Sequence, residues 1–145
     1  MNFIPPVSAP PRGIKFSDAL FTEPESFPSP LAASLSSFLR QEGLYAILTD
    51  DPGQRPRPFR LLYIGESENV WGRAAATHEC HDSWRQAAGT FGRLYRAFHA
   101  MPGSTQRQRQ LLESAIMTAY NPPCNQKLSF GLAALLGGVG GLGGR

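Results

Sequence analysis

Two apolar runs separated by a short proline-containing loop constrain the fold of this chain more than any other feature. Residues Gly43 to Thr49 and Phe59 to Ile64 are rich in aliphatic and aromatic side chains, as β-strands are. Between them, residues 50–58 contain Asp-Pro-Gly and two Arg-Pro pairs, which are typical of a loop. Consecutive strands joined by a loop of this length favour antiparallel pairing, so the sequence predicts a β-hairpin at the centre of the fold.

Helical and strand-like patterns flank this hairpin. The further elements that we expect are helices at Leu31 to about Gln41, Glu68 to about Thr77, Asp82 to Ala88 and Thr105 to about Tyr120, and a strand at Phe91 to His99. Ser104 is the expected cap of the last helix. The predicted buried stripe of that helix consists of Leu112, Ala115, Ile116 and Ala119. This order of elements predicts an α+β fold with a small three-stranded, mostly antiparallel sheet flanked by helices.

The two ends of the chain differ in composition from the region between them. Residues 1–29 are proline-rich and are expected to form a weakly packed N-terminal arm, whereas residues 30–129 are expected to form one folded domain. Residues 130–145 are expected to form a glycine-rich flexible tail. Residues 29–130 should then fold without the arm. The apolar exceptions in the arm, which could pack back on the core, are Phe3, Ile4, Phe16, Leu20 and Phe21.

The cysteine content and the N-terminal sequence bear on the cellular location. The chain has two cysteines, Cys80 and Cys124, and its N-terminus lacks the basic segment and apolar core of a signal peptide. It also has no apolar run as long as a membrane-spanning helix. These features predict a cytoplasmic protein without disulfide bonds.

Positive charge is concentrated in the second part of the chain. Residues 43–130 carry ten basic and seven acidic side chains, and the whole chain has a net charge of +3. From Ser83 to Leu112 there are five arginines and no carboxylate, which suits contact with a phosphate backbone, although a solvated basic surface has the same composition. The side chains that we expect to contact nucleic acid are Arg85, Arg93, Arg96, Arg107, Arg109 and Lys127.

Two tyrosine motifs lie at the paired ends of the hairpin strands. The first strand begins with Gly43-Leu44-Tyr45, and the second ends with Tyr63-Ile64-Gly65. Arg73 follows eight positions after the second motif, and Asn125 follows Glu113 by twelve positions. In this order and spacing the residues resemble the GIY-YIG nuclease family, over residues of about 42–127. The resemblance implies a three-stranded sheet flanked by helices, and metal-dependent hydrolysis of phosphodiester bonds in nucleic acid, with DNA expected.

Glu113 and Asn125 are the two late residues of this pattern. Glu113 is the one carboxylate in its predicted helix, and a surface ion pair with Arg109 is the plain alternative to a functional role. The resemblance implies that Glu113 is the catalytic metal ligand, and Mg²⁺ (or Mn²⁺) suits a site of one carboxylate, waters and a substrate phosphate. It also implies that Asn125 orders its loop or binds phosphate through its amide, where a turn role is the alternative.

Four further side chains are expected in the catalytic site. Arg73 shares a predicted helix face with buried positions and, by the resemblance, grips the scissile phosphate, whereas a surface arginine is the alternative. The resemblance implies Tyr45 as general base with Tyr63 as its partner, although tyrosines in strands are commonly core residues. His78 lies one position after the family's usual histidine or tyrosine and is a candidate proton acceptor or phosphate ligand. Gly65 is expected to let the backbone approach a phosphate.

Other interpretations of the sequence stay open. A zinc site could use His78, Cys80, His81 and Cys124, although their spacing lacks the paired ligands of structural zinc sites. Glu66 stands where some members of the family carry a basic residue, and Glu66 or Ser67 is a candidate cap of the following helix. The chain could also be a catalytically silent nuclease-derived module that binds nucleic acid, or a protein partner through its arm or tail. An α+β domain unrelated to nucleic acid is the third alternative.

Overall fold

The computed structural model describes residues 13–29, 31–32, 40–51, 53 and 58–125. Its strands are β1 (Gly13–Phe16), β2 (Ala19–Thr22), β3 (Glu25–Ser26), β4 (Gly43–Asp50), β5 (Phe59–Ser67) and β6 (Leu94–Ala100). Its helices are α1 (Val70–Arg73), α2 (His81–Ala88) and α3 (Gln106–Tyr120). Residues 1–12 of the arm, most of the helix expected at residues 31–41, and the tail at residues 130–145 lie outside the described residues.

A four-stranded antiparallel sheet in the order β3-β6-β4-β5 forms the centre of the fold. β4 and β5 form the predicted hairpin, in which Tyr45 lies opposite Gly65. β6 pairs with the other side of β4 and places Phe98 opposite Tyr45. The α+β class is confirmed. The expected three-stranded sheet is corrected to four strands, because the short strand β3 pairs with the outer edge of β6.

The N-terminal segment of the described chain belongs to the core. β1 and β2 form a second, two-stranded sheet. Four of its side chains are buried in the same cluster as the apolar residues of β4: Ile14, Phe16, Ala19 and Phe21. The expectation of a weakly packed arm over residues 1–29 is therefore wrong for residues 13–26, because alternating apolar side chains supply the burial that composition alone did not indicate. Leu20 is the apolar exception that stays exposed.

The two faces of the central sheet bury different side chains. One face packs on the sheet of β1 and β2 and on α3. The buried cluster there includes Leu44, Ala46, Leu48, Ile64 and Ile116. The other face packs on α1 and α2, and its cluster includes Tyr45, Ile47, Tyr63, Val70 and Trp84. Successive side chains of a strand point to opposite faces, so the register of the hairpin puts Tyr45 and Tyr63 on the same face.

The helix expected at residues 68–77 is reduced to the single turn α1. After Arg73 the chain continues in turns, in which the Ala75 N–H donates to the Arg73 carbonyl and the His78 N–H donates to the Ala75 carbonyl. Ala74 is fully buried, and its carbonyl accepts a hydrogen bond from the buried Arg96. These tertiary contacts outweigh the helix propensity of the three consecutive alanines.

α2 and α3 lie where the sequence predicts helices. The N-cap of α3 is Thr105 rather than Ser104, and its side chain forms a capping box with Gln108. Ile116 is the buried member of the predicted stripe, and Leu112 packs partly buried against it. Ala115 and Ala119 are exposed, which corrects that part of the stripe. Within the described ranges, every helix is too short or too polar to cross a membrane.

Candidate active site

Tyr45 and Tyr63 lie side by side on the sheet face that packs against α1 and α2. They come from adjacent strands, and their ring centroids are 6.0 Å apart. Tyr45 is 1% exposed and Tyr63 is 5% exposed. A side chain at Gly65 would collide with the Tyr45 ring, so the glycine makes room for the phenol. This role replaces the expected one, because a buried Gly65 covered by a tyrosine ring does not present its backbone to a phosphate.

His78 lies against Tyr45 because the chain leaves the helical path at Arg73. The His78 Nε2 is 2.9 Å from the Tyr45 hydroxyl, and the His78 side chain is fully buried. The backbone N–H of Cys80 donates to His78 Nδ1 at 2.9 Å. Since Nδ1 accepts a hydrogen bond, the proton of the neutral ring is on Nε2, which donates to Tyr45.

The environment of His78 keeps its ring neutral. Burial and the nearby charge of Arg73 lower the pKa of His78 to about 4. Both ring nitrogens already have partners, so the expected role of His78 as a proton acceptor or phosphate ligand does not fit this arrangement. The ring is placed instead to donate to the oxygen of Tyr45 and to stabilise negative charge there.

The pKa values of the two phenols connect four groups of the site. Burial raises the pKa of Tyr45 far above its ordinary value, Tyr63 raises it further, and the charge of Arg73 lowers it. Burial, followed by Cys80, raises the pKa of Tyr63 to about 12. Glu113 raises the pKa of both phenols and Arg73 lowers both, so these groups share one electrostatic environment. Both phenols are protonated in the free protein at neutral pH.

Arg73 ends α1 and holds a carboxylate with its guanidinium group. Nη1 donates to Oε1 of Glu79 at 2.7 Å, and Nη2 donates to Oε2 at 2.5 Å. The pair raises the pKa of Arg73 and lowers the pKa of Glu79 to about 2. Two parallel hydrogen bonds are also the geometry in which arginine binds phosphate. Glu79 therefore occupies the edge of the guanidinium that another oxyanion would use.

Glu113 is a half-buried carboxylate on α3, and no other residue in the described part of the chain gives it a hydrogen bond or an ion pair. The alternative pair with Arg109 does not form, because Arg109 Nε donates to Oε1 of Glu66 at 2.9 Å. Burial and the negative charge of Glu66 raise the pKa of Glu113 to about 7. An unpaired carboxylate beside a second one is unfavourable when ionised, and a divalent cation would relieve this repulsion. Glu113 is therefore a carboxylate that could hold a divalent metal.

Asn125 completes the hydrogen bonding of the outer strand β5. Its Oδ1 accepts from the Ile64 N–H at 2.6 Å, and its Nδ2 donates to the Ile64 carbonyl at 2.7 Å. Because β5 is an edge strand, these backbone groups need a partner from outside the sheet. Asn125 thus orders the segment after α3, which is one of its two expected roles. Binding phosphate through the amide does not fit, since Asn125 is 5% exposed and Ile64 engages its Oδ1 and one N–H of its Nδ2.

Two of the expected nucleic-acid contacts are internal. Arg96 and Arg109 are each 3% exposed, and they pair with Glu25 and Glu66. The prediction that these two arginines bind the phosphate backbone is wrong, because carboxylates and backbone carbonyls inside the fold already engage both guanidinium groups. The role of Glu66 is likewise corrected from a helix cap to the partner of Arg109.

The other basic residues remain candidates for contact with nucleic acid. Arg85, Arg93 and Arg107 are exposed, and Lys127 lies outside the described residues. Arg85 is engaged locally, because its Nη2 donates to the carbonyl of Gly89 at 2.9 Å. The exposed positive charge of the described chain therefore offers fewer free guanidinium groups than the sequence alone indicates.

A second group of metal-ligating atoms is formed by His78, Glu79 and Cys80. Their ligand atoms lie within 4.8 Å of one another. His78 Nδ1 is occupied by a backbone N–H, and Glu79 by Arg73, so a metal would have to displace both contacts. In the described residues this group includes neither His81 nor Cys124, and the four-residue zinc site considered from the sequence is not assembled.

Two residues of the site were missed by sequence reasoning. Trp84 of α2 is fully buried and packs against His78, with the ring centroids 4.4 Å apart and the rings tilted by 42°, so it fixes the imidazole against the sheet. The signal for Trp84 was available, since it is the large apolar residue of a short polar helix. The sequence did not indicate Glu79, because its role depends on how the turns after α1 place it beside Arg73.

Known proteins offer no further guide to this site. No family model matches the chain, and neither a curated protein nor a solved structure matches it. The resemblance to the nuclease family therefore stays a prediction that rests on the sequence motifs.

Proposed function

We propose that this protein is an endonuclease that hydrolyses phosphodiester bonds in nucleic acid, with DNA as the expected substrate, and that it uses one divalent metal ion. One observation carries the proposal. Two buried phenols on adjacent strands lie with their ring centroids 6.0 Å apart, Tyr45 contacts the buried His78, and Arg73 and Glu113 are near enough to affect the pKa values of both phenols. These four residues, Tyr45, Tyr63, Arg73 and Glu113, come from four different elements. Tyr45, Arg73 and Glu113 each have a separate task in the cleavage of a phosphodiester, and Tyr63 is the partner of Tyr45.

Glu113 would hold the metal ion, Mg²⁺ or Mn²⁺. One carboxylate, completed by waters and a substrate phosphate, is a common way for proteins to bind Mg²⁺. When bound, the ion supplies Lewis-acid stabilisation of the negative charge on the phosphate and the leaving oxygen. The charge of Glu66 adds to the negative potential at Glu113 and would favour a cation there. Glu66 would not itself hold the metal, because its Oε1 accepts a hydrogen bond from Arg109.

Arg73 would bind the scissile phosphate through two parallel hydrogen bonds, as it now binds Glu79. The phosphate must displace Glu79 first. The Arg73 and Glu79 side chains are 39% and 62% exposed. Because water screens such a pair, displacing Glu79 costs little free energy. Exposed ion pairs typically contribute about 0–1 kcal/mol. Once the phosphate is bound, the guanidinium offsets the charge that accumulates as water attacks phosphorus.

Tyr45 would act as the general base, with Tyr63 beside it. Water attacks the phosphorus atom, its proton passes to the oxygen of Tyr45, and the bond from phosphorus to the leaving oxygen breaks. Tyr45 first gives its own proton to solvent, and its phenolate, which the N–H of His78 and the charge of Arg73 both favour, then accepts the proton of the water. Burial opposes ionisation and raises the pKa of Tyr45, so we expect the cleavage rate to keep rising above neutral pH.

Incubation of the purified protein with duplex, branched and single-stranded DNA, and with RNA, tests this proposal. Each substrate is incubated with Mg²⁺, with Mn²⁺ and with EDTA. Cleavage that needs a metal is expected, and a Tyr45→Phe variant purified in parallel controls for contaminating nucleases. If the protein cleaves none of these substrates with either metal, the proposal is overturned. Binding of nucleic acid without cleavage would support a silent binding module, in which Arg73 stays paired with Glu79.

A further inference from the structure

The helix that carries Arg73 is too short to be stable without contacts from the rest of the fold. α1 is the four-residue turn Val70–Arg73, it includes Gly72, and its N-cap residue makes no side-chain capping bond. A single helical turn is not stable in water by itself. At its start, the Val70 N–H donates to the carbonyl of Gln41 at 2.9 Å. Contacts at its other end must therefore complete the placement of Arg73.

Arg96 of β6 binds the C-terminal end of α1. Its Nη1 donates to the carbonyl of Ala74 at 2.9 Å and to the carbonyl of Trp71 at 3.4 Å. Its guanidinium carbon lies 5.4 Å from the centroid of the Trp71 ring and 5.2 Å from that of Phe98. A cation at the end of a helix satisfies carbonyls that have no partner within the helix. These contacts tie the backbone on both sides of Arg73 to the sheet.

Glu25 of β3 holds Arg96 from the other side. It lies directly opposite Arg96 where β3 pairs with β6, and its Oε2 accepts from Arg96 Nε at 2.8 Å. Arg96 is 3% exposed, so its charge would be costly without a partner. The N-terminal segment therefore supplies the negative charge that allows Arg96 to lie buried against α1.

We propose that Arg96, held by Glu25, is the positioning residue for Arg73. This role rests on the proposed function, since it matters only where Arg73 binds a phosphate. Arg96 fixes the carbonyls that flank Arg73, so the Arg73 guanidinium meets the phosphate at the angle that two parallel hydrogen bonds require. Lysine cannot replace Arg96, because a single ammonium group lacks the planar fork that reaches Glu25 and the carbonyls together.

The test compares Arg96→Lys with the wild type in DNA binding in EDTA and in single-turnover cleavage with Mg²⁺ at saturating protein. We expect the rate constant at saturation to fall about tenfold to a hundredfold, since a misplacement of about 1 Å costs catalysis of this order. The affinity for DNA in EDTA should change less than about threefold, because one phosphate contact among many contributes little. A merely structural role would lower the melting temperature and leave the rate constant unchanged.

A double-mutant cycle shows whether Arg96 acts through Arg73. In an Arg73→Ala background, Arg96→Lys should slow cleavage by less than about twofold more, because the residue that it positions is gone. Arg109→Lys is the matched control. Arg109 is as buried as Arg96 and is also ion-paired, but it belongs to α3 and contacts Glu66. Its effect on the rate should be the same in both backgrounds.

An unchanged rate constant in Arg96→Lys, or a loss that persists in full in the Arg73→Ala background, overturns the role of Arg96 and leaves the nuclease proposal standing. A wild type that cleaves nothing overturns both. If Arg96→Lys does not fold, Glu25→Gln takes its place, because it removes the charge that holds Arg96 against the carbonyls and leaves Arg96 itself unchanged. The same comparisons apply to Glu25→Gln, with a smaller expected loss of rate.

Discussion

Replacing Glu113 by glutamine is expected to stabilise the folded protein above neutral pH while it removes the proposed metal ligand. Burial and the charge of Glu66 raise the pKa of Glu113 to about 7, so ionising this carboxyl costs free energy in the folded state. Glutamine has nearly the same shape and is neutral at every pH. The Glu113→Gln variant therefore lacks the loss of folding free energy that ionisation of Glu113 causes in the wild type.

The size of this effect follows from the folded pKa of about 7 and the ordinary value of 4.5. At about 1.36 kcal/mol for each pH unit, the difference amounts to at most roughly 3 kcal/mol, and to about 2 kcal/mol once the screening of a half-buried group by solvent is allowed for. Because the folded-state pKa is the higher one, the folded wild type binds more protons, and its stability falls as the pH rises from 4.5 to about 7. The two proteins should be about equally stable near pH 4. At about pH 8 the variant should melt roughly 10 °C higher.

Urea unfolding at acidic and alkaline pH measures both stabilities. Glu68→Gln, which alters an exposed glutamate in the connection from β5 to α1, is the control and should follow the pH dependence of the wild type. Mg²⁺ should raise the melting temperature of the wild type and leave that of Glu113→Gln unchanged, since a ligand stabilises only the state that binds it. A gain in stability of the same size at acidic and alkaline pH would refute the reasoning.

Four further variants are expected to differ from the wild type. Tyr45→Phe should slow single-turnover cleavage by about a hundredfold or more, and it should lower stability by about 1–3 kcal/mol because a buried imidazole N–H loses its partner. Tyr63→Phe should slow cleavage less, and the reverse order would make Tyr63 the base. Glu79→Gln should bind DNA more tightly in fluorescence anisotropy without metal, since it frees a guanidinium; weaker binding would make Glu79 a support instead. A chain beginning at residue 29 should lose cooperative thermal unfolding because it lacks residues 13–26, whereas a transition as sharp as that of a chain beginning at residue 13 would contradict this.

The alternation of side chains along the two strands was sufficient to predict that the two phenols lie together. Tyr45 and Tyr63 lie in recognisable apolar runs, and the register of a hairpin decides which face each side chain takes. The end of α3, between Glu113 and Asn125, could also be predicted. A long amphipathic helix followed by two prolines ends where the sequence indicates, at Tyr120. Local patterns of this kind depend on neighbouring residues and are readable in the chain.

Pairing between distant residues was not readable in this way. Arg96 and Arg109 resemble the exposed arginines around them, and their burial depends on Glu25 and Glu66, which lie 71 and 43 positions away in the chain. The length of α1 was misjudged for the same reason, since the contact of Arg96 with the end of that helix overrides the propensity of the alanines. A positively charged segment therefore predicts a nucleic-acid surface only after its internal ion pairs are known.

The rate of DNA cleavage by Glu113→Gln, compared with that of the wild type, tests the central claim most directly. Both proteins are purified in parallel and assayed in excess over labelled DNA with saturating Mg²⁺, at about pH 8, where Glu113 is ionised in the wild type. We expect the wild type to cleave and the folded variant to be slower by about a thousandfold or more, because the metal contributes several kcal/mol of charge stabilisation. A variant that cleaves within about tenfold of the wild-type rate would contradict the assignment of the metal to Glu113.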